Sequence, residues 1–410
     1  MSTAFPPGFL WGVATAGHQN EGDNRHSDIW FLEQVEPTVF REPSGQACRS
    51  YDLWPTDLDL AQDMGLNAFR FSVEWARIEP QPGVISQEAL AHYEAVVDGC
   101  LERGLAPVVT FSHFAAPHWF SANGSWTAPD AAQRFADFCA LVTRRFGDRI
   151  AVAVTLNEPN LVPLLQWEGL PQPVKDLQAA TLRAASEKAG VTRYLAGNVM
   201  TDDDFPDMRD GLTRAHLAAR DAVKAVRPDL PVGLSIAIID DVARPGGEEI
   251  VARKRADVYD HWLELARGDD FIGVQNYERV EYDADGRVAL PEGTTLNEMG
   301  SAIRPESLGG AVRYAHQVAG VPVLVTEHGM GTQNDSERAA FIEPALAGLQ
   351  KAVADGVPVL GYCHWTLLDN FEWIFGYGMK FGLHEVDRET FERTPKPSAK
   401  AYAAVVAAAR

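Results

Sequence analysis

Short apolar runs punctuate the chain, and between them the hydrophobic positions change period. Eight such runs can be read: Phe9–Thr15, Ala68–Val73, Pro107–Ser112, Val152–Glu158, Val232–Ile238, Phe271–Tyr277, Val323–Glu327 and Val359–Trp365. They are largely apolar and rich in β-branched residues, as expected of strands buried on both faces. The intervening segments Gln87–Gly104, Pro129–Gly147, Asp210–Val226, Ser307–Ala319 and Asp335–Gly356 carry their apolar residues at helical spacing. Strands alternating with helices predict βα units and a parallel sheet. Eight of them predict closure into a (β/α)8 TIM barrel of class α/β, one domain over residues 1–410. A doubly wound open sheet is the structural rival, but no G-x-G-x-x-G follows the first run. The stretch Trp167–Phe205, with helix-like Asp176–Ala189, reads as an insertion after the fourth strand, and Tyr282–Met299 as a loop before the seventh. Loops that follow barrel strands build functional clefts, so both are expected to shape its mouth.

Composition narrows the partners. Hydrophobic residues make up 46% of the 410, ample for one large core. A formal net charge of −21, from 57 acidic against 36 basic residues, repels phosphate backbones and anionic lipid, which argues against nucleic-acid and membrane-surface partners. The four cysteines, Cys48, Cys100, Cys139 and Cys363, form no C-x-x-C pair and read as buried thiols in a reducing compartment. Met1–Leu10 has no basic segment followed by an apolar one, and no apolar run is long enough to span a bilayer. The expectation is a cytoplasmic protein that needs no metal and no organic cofactor, since no cluster has ligand spacing.

Two of the runs end abruptly on a carboxylate: Val154-Thr155-Leu156-Asn157-Glu158-Pro159 and Val323-Leu324-Val325-Thr326-Glu327-His328-Gly329. Side chains at the carboxyl ends of barrel strands face the mouth of the fold. A single glutamate there could be a solvated loop residue, but two at the ends of buried strands point to chemistry. Cleavage of a glycosidic bond with retention needs one carboxylic acid to protonate the leaving oxygen and one carboxylate to attack the anomeric carbon, about 5 Å apart. Different environments must then separate the two pKa values.

The motifs around these glutamates give the chain a family likeness. Phe9-Leu10-Trp11-Gly12-Val13-Ala14-Thr15 with Gln19 and Glu21-Gly22, then Phe69-Arg70-Phe71-Ser72, Thr155-Leu156-Asn157-Glu158-Pro159, Thr326-Glu327, Trp365-Thr366-Leu367-Leu368-Asp369-Asn370-Phe371-Glu372-Trp373, Gly376-Tyr377 and Phe381-Gly382-Leu383 occur in order along nearly the whole chain. In this the chain resembles glycoside hydrolase family 1, the β-glucosidase-type retaining enzymes. The resemblance implies Glu158 as acid/base, Glu327 as nucleophile, and Arg70 and Tyr277 as the residues flanking it. It implies Asn157 as a partner of the sugar 2-hydroxyl, Gln19, His113, Glu372 and Trp373 as partners of the terminal sugar, and Trp365 as its stacking platform. A cation and a phenol beside Glu327 are expected to lower its pKa. Relatives that use 6-phosphorylated sugars usually carry serine at the position of Glu372, so unphosphorylated β-glycosides are the expected substrates. Glucose is the leading glycone, with galactose and fucose open.

Departures from the family pattern bear on specificity. Phe114 follows His113 where tryptophan is common. Gly17-His18 replaces serine-tyrosine, and Gln275-Asn276-Tyr277 replaces asparagine-tyrosine-tyrosine. His328 stands where asparagine follows the nucleophile, with its side chain expected to point away from Glu327. Gly300-Ser301 replaces a glycine-tryptophan that walls the aglycone side, so the leaving-group subsite should be open or reshaped. An exo-acting β-glycosidase leads. The alternatives are a carbohydrate-binding or sensing barrel and a transglycosidase that uses the same intermediate.

Overall fold

In the computed structural model, which describes residues 5–410, every apolar run is a strand. They are β1 (Leu10–Ala14), β2 (Ala68–Ser72), β3 (Ala106–Ser112), β4 (Val152–Asn157), β5 (Val232–Ala237), β6 (Phe271–Asn276), β7 (Val323–His328) and β8 (Val359–Trp365). Each pairs in parallel with its neighbours in sequence, and β8 pairs with β1, so the sheet closes into a barrel. The expected helices surround it as Gln87–Glu102, Ala131–Phe146, Phe205–Val226, Ser307–Ala319 and Asp335–Ala354. The third begins earlier than its apolar period suggests, because Pro206 suits the first turn of a helix and Asp207 complements its positive end.

Strand alternation divides the core in two. Outward-facing residues meet the helices in one large cluster with a dense aromatic nest. There the Trp75 ring lies 4.8 Å from Phe120 and 5.3 Å from Phe138, and Trp126 meets Phe135 edge-on at 5.2 Å. A separate cluster of Val108, Val152, Val154, Phe271 and Leu324 fills the barrel below the polar residues of the mouth. A third cluster joins Ile29, Leu32, Val35 and Phe40 to Leu182, Ala185, Tyr194 and Phe371. The segment 167–205 therefore packs at the mouth, and its helix, Gln172–Ala189, starts four residues before the periodicity predicts.

The loop before β7 differs from the expectation. Arg279–Asp283 pairs in parallel with Asp240–Ala243 and antiparallel with Gly286–Arg287, so part of Tyr282–Met299 belongs to a small three-stranded sheet. Its strands are short and polar, and their pairing partner is remote in sequence, which local periodicity does not register.

Truncating Trp75 to alanine empties the centre of the aromatic nest. Chemical denaturation should show a loss of roughly 3–5 kcal/mol, with kcat/KM of the protein that remains folded changed less than about threefold.

Candidate active site

The two carboxylates are delivered by irregular strand ends. Pairing of β6 and β7 shifts register between Val325 and Glu327, and pairing of β4 and β5 shifts between Val154 and Asn157. Such bulges re-aim side chains at barrel rims. Glu158 lies just beyond β4 rather than inside it, with φ at +49°. Its backbone N–H donates to the Ser235 carbonyl at 2.8 Å, which holds a left-handed conformation that costs on the order of 1–3 kcal/mol for a non-glycine residue. Phe114 and Trp373 also have positive φ, at +66° and +50°. Gly329 follows β7 because a Cβ there would stand 2.0 Å from the Trp365 carbonyl oxygen.

Arg70 organises the floor of the cleft. It is fully buried. Its Nη1 donates to Glu327 Oε1 at 2.5 Å and to the Thr326 carbonyl at 3.1 Å, its Nη2 to Asn157 Oδ1 at 2.5 Å, and its Nε to Thr110 Oγ1 at 3.2 Å. The Tyr277 hydroxyl donates to the other Glu327 oxygen at 2.6 Å. Gln275 Nε2 adds a second donor to Asn157 Oδ1 at 2.6 Å. With its oxygen occupied twice, Asn157 presents its Nδ2, which lies 3.3 Å from His113 Nε2. The sequence assigns no role to Gln275. Its position two residues before Tyr277 on the same strand face is the signal that could have revealed one.

The polar wall opposite is continuous with this floor. Gln19 Nε2 donates to the Phe371 carbonyl at 2.9 Å and to Glu372 Oε2 at 3.2 Å. Trp365 Nε1 donates to Glu372 Oε1 at 3.3 Å. The His113 ring lies nearly parallel to Trp365 at 5.8 Å and to Trp373 at 6.1 Å. Gln19 Oε1 and His113 Nδ1 are buried without a protein partner. The structure thus gathers Glu158, Glu327, Arg70, Tyr277, Gln19, His113, Asn157, Trp365, Glu372 and Trp373 around one cleft.

Electrostatics separates the two glutamates. Glu158 is pushed well above the usual carboxylate range by burial, then by the neighbouring charge of Glu327. Burial also raises Glu327, against the expectation that its partners would lower it; Arg70 and Tyr277 pull it back without cancelling the loss of water. Glu158 lacks such donors, so Glu327 ionises first. Burial lifts Glu372 to about 8 and holds His113 well below its ordinary value, hence neutral.

Other departures have structural answers. His328 faces away from the cleft, as the alternation predicts: its Nδ1 meets the Tyr362 hydroxyl at 2.9 Å, its ring stacks on Phe341 at 5.1 Å, and burial lowers its pKa to about 3. Ser301, in place of the expected indole, is buried and bonds the Glu278 carboxylate. Among the described residues there is no group of three or more metal-ligating side chains, and no helix is long and apolar enough to cross a membrane.

The sequence model of glycosyl hydrolase family 1 matches residues 1–185 and 273–410. The chain belongs to glycosyl hydrolase family 1. It is 30% identical to beta-glucosidase A of Thermotoga maritima, over 98% of this chain and 97% of that protein. It is 29% identical to a bifunctional beta-D-glucosidase/beta-D-fucosidase of Bifidobacterium breve, over 97% of each. Among solved structures, beta-glycosidase BGL167 superposes with a TM-score of 0.92 at 46% identity, covering 98% of this chain and 96% of that one. A Thermotoga maritima beta-glucosidase in complex with noeuromycin superposes with a TM-score of 0.81 at 27% identity, covering 99% of each chain. The protein is a glycoside hydrolase of the β-glycosidase type.

Tyr277 stabilises only the ionised form of Glu327, so its removal must raise that carboxyl's pKa. In Tyr277→Phe the acidic limb of the kcat/KM profile should move to higher pH by roughly one unit. An unmoved limb would detach that limb from Glu327.

Proposed function

We propose that the protein is a retaining exo-β-glycosidase that removes terminal non-reducing β-D-glucosyl residues from small-molecule or oligosaccharide glycosides. The observation that carries this reading is the asymmetry of the glutamate pair: Glu327 holds Arg70 at 2.5 Å and Tyr277 at 2.6 Å, whereas burial and the charge of Glu327 keep the proton on Glu158. In the first step the ionised Glu327 forms a bond to the anomeric carbon while the bond to the leaving oxygen breaks. Glu158 gives its proton to that oxygen, and the aglycone departs as an alcohol. In the second step Glu158 takes a proton from water, the water oxygen bonds the anomeric carbon, and the ester to Glu327 breaks. Two inversions give net retention. Neither step calls for a metal or organic cofactor.

Asn157 would donate to the sugar 2-hydroxyl, and Gln19, His113, Glu372 and Trp373 would bind the remaining hydroxyls over the face of Trp365. The joint presentation of Glu372 to Gln19 and Trp365 supports recognition of neighbouring hydroxyls such as O4 and O6. The whole chain would act as one catalytic domain with 167–205 as an inserted wall. Four unpaired, buried cysteines support a cytoplasmic setting.

Azide separates the two roles. Glu158→Ala should still release activated aryl leaving groups, and azide should accelerate turnover to the β-glycosyl azide, because the glycosyl ester still forms. Glu327→Gly should lose on the order of 10⁴-fold in kcat, and azide should not restore hydrolysis with retention. An α-azide from Glu158→Ala would reverse the assignment.

Chromogenic β-glycosides test the glycone. The β-glucoside should show the highest kcat/KM among glucose, galactose and fucose derivatives. Glu372→Ala should lower kcat/KM on the β-glucoside by roughly 10²-fold or more, and less on the β-fucoside, which has no 6-hydroxyl. Equal losses on both would remove the 6-hydroxyl from the partners of Glu372.

A further inference from the structure

His18 stands behind the sugar wall, one residue before Gln19, on the single turn Gly17–Asn20 that follows β1. It is buried, and both of its ring nitrogens are engaged. Nε2 lies 3.0 Å from Glu33 Oε1, and neither side chain has exposed surface. Nδ1 faces Asn24 Nδ2 and Ser27 Oγ at 3.4 Å each. Glu33 is itself held: its second oxygen accepts from the Ser44 backbone N–H at 3.0 Å and the Ser44 hydroxyl at 2.8 Å. The backbone beneath the ring is equally confined, because a Cβ on Gly17 would lie 2.4 Å from Glu74 Oε1. These contacts leave the imidazole one position.

The ring so held lies against Trp373, with centroids 5.7 Å apart and planes within 8°. Trp373 needs external support. It sits on a three-residue 3-10 turn, Trp373–Phe375, is half-buried, and its indole N–H has no protein partner among the described residues. Packing must therefore set its plane: one edge of the side chain meets the apolar cluster at the mouth, and rings supply its flat contacts. The others come from His113 at 6.1 Å and from the edge of Phe114 at 5.2 Å. Of the two histidines, only His18 is tied to a buried carboxylate.

We propose that His18, clamped by Glu33, is a positioning residue that sets the plane of the Trp373 indole and thereby the affinity for the terminal sugar. This rests on the reading above that Trp373 contacts that sugar. It extends the glycone site to residues that touch no substrate and to the turn where the chain departs from the family's serine-tyrosine. The effect falls on binding of the sugar in ground and transition state alike, so it appears in KM and leaves kcat nearly unchanged.

The test compares His18→Ala, His18→Leu, His18→Tyr and Glu33→Gln by steady-state kinetics on an aryl β-glucoside, with competitive inhibition by free glucose and thermal midpoints alongside. An aromatic pair contributes about 0.5–1.5 kcal/mol, up to roughly tenfold in a binding constant. His18→Ala and His18→Leu should raise KM and the glucose inhibition constant by up to about tenfold, with kcat within about threefold. His18→Tyr, which restores a flat ring, should recover most of the loss, and Glu33→Gln should fall between. If His18→Ala does not fold, His18→Leu carries the comparison, since it fills the volume without a flat ring. An unshifted glucose constant in a folded Ala or Leu variant overturns the proposal. So does a loss in kcat alone, or a Tyr variant no better than Leu. Wild-type turnover in the same assay separates the two levels: no hydrolysis of any chromogenic β-glycoside rejects the functional reading, whereas normal wild-type turnover with unshifted variants rejects only the role of His18.

Discussion

Arg70 is a charge with no access to water, and the cleft is arranged around satisfying it. Its guanidinium reaches Glu327, the Thr326 carbonyl, Asn157 and Thr110, so one side chain on β2 ties together β3, β4 and β7. An unpaired buried cation would be prohibitive, and an unpaired buried carboxylate would take up a proton. The two can exist here only together. That mutual need orients Glu327 and orders Asn157, and it leaves Glu158, which lacks such donors, as the group that keeps its proton. The difference in ionisation between two chemically identical side chains follows from where one arginine can reach.

A parallel barrel suits this arrangement. The strands bring residues from remote parts of the sequence to one rim, and an apolar plug of Val108, Val152, Val154, Phe271 and Leu324 closes the barrel beneath them. The rim itself is irregular. Register shifts precede Glu327 and Glu158, and Phe114, Glu158 and Trp373 adopt left-handed backbone conformations. Strain of this kind persists only where the surroundings impose it. Here they do so through the Ser235 carbonyl at Glu158 and through packed rings at Trp373. The turn that carries Gln19 is held in the same way, with His18, Glu33 and Ser44 joining it to a later loop.

Much of this was legible before any coordinates. The strands could be read because buried parallel strands are continuous apolar runs, and Ser307–Ala319 could be bounded because its period is strong and a glycine ends it. Glu158 and Glu327 stood out because a carboxylate is anomalous at the end of such a run. The small sheet formed with Asp240–Ala243 was not legible, since its strands are short, polar and paired across a long separation. Gln275 and His18 were visible only as departures from a pattern, without roles, because what each does depends on a partner that sequence distance conceals. The pKa of Glu327 was expected to fall. Arg70 and Tyr277 do bond its carboxylate, but the depth of its burial outweighs them.

By itself, then, the sequence determined the eight barrel strands and their order, the main helices between them, the acidic balance of charge, and which side chains end up at the carboxyl ends of those strands. These are local properties of periodicity and composition. Only the tertiary structure decided that both glutamates share one cleft, which of them ionises first, and which buried groups hold the turn that carries Gln19. Those outcomes depend on through-space distance and on exclusion of water, and neither quantity exists until the barrel closes.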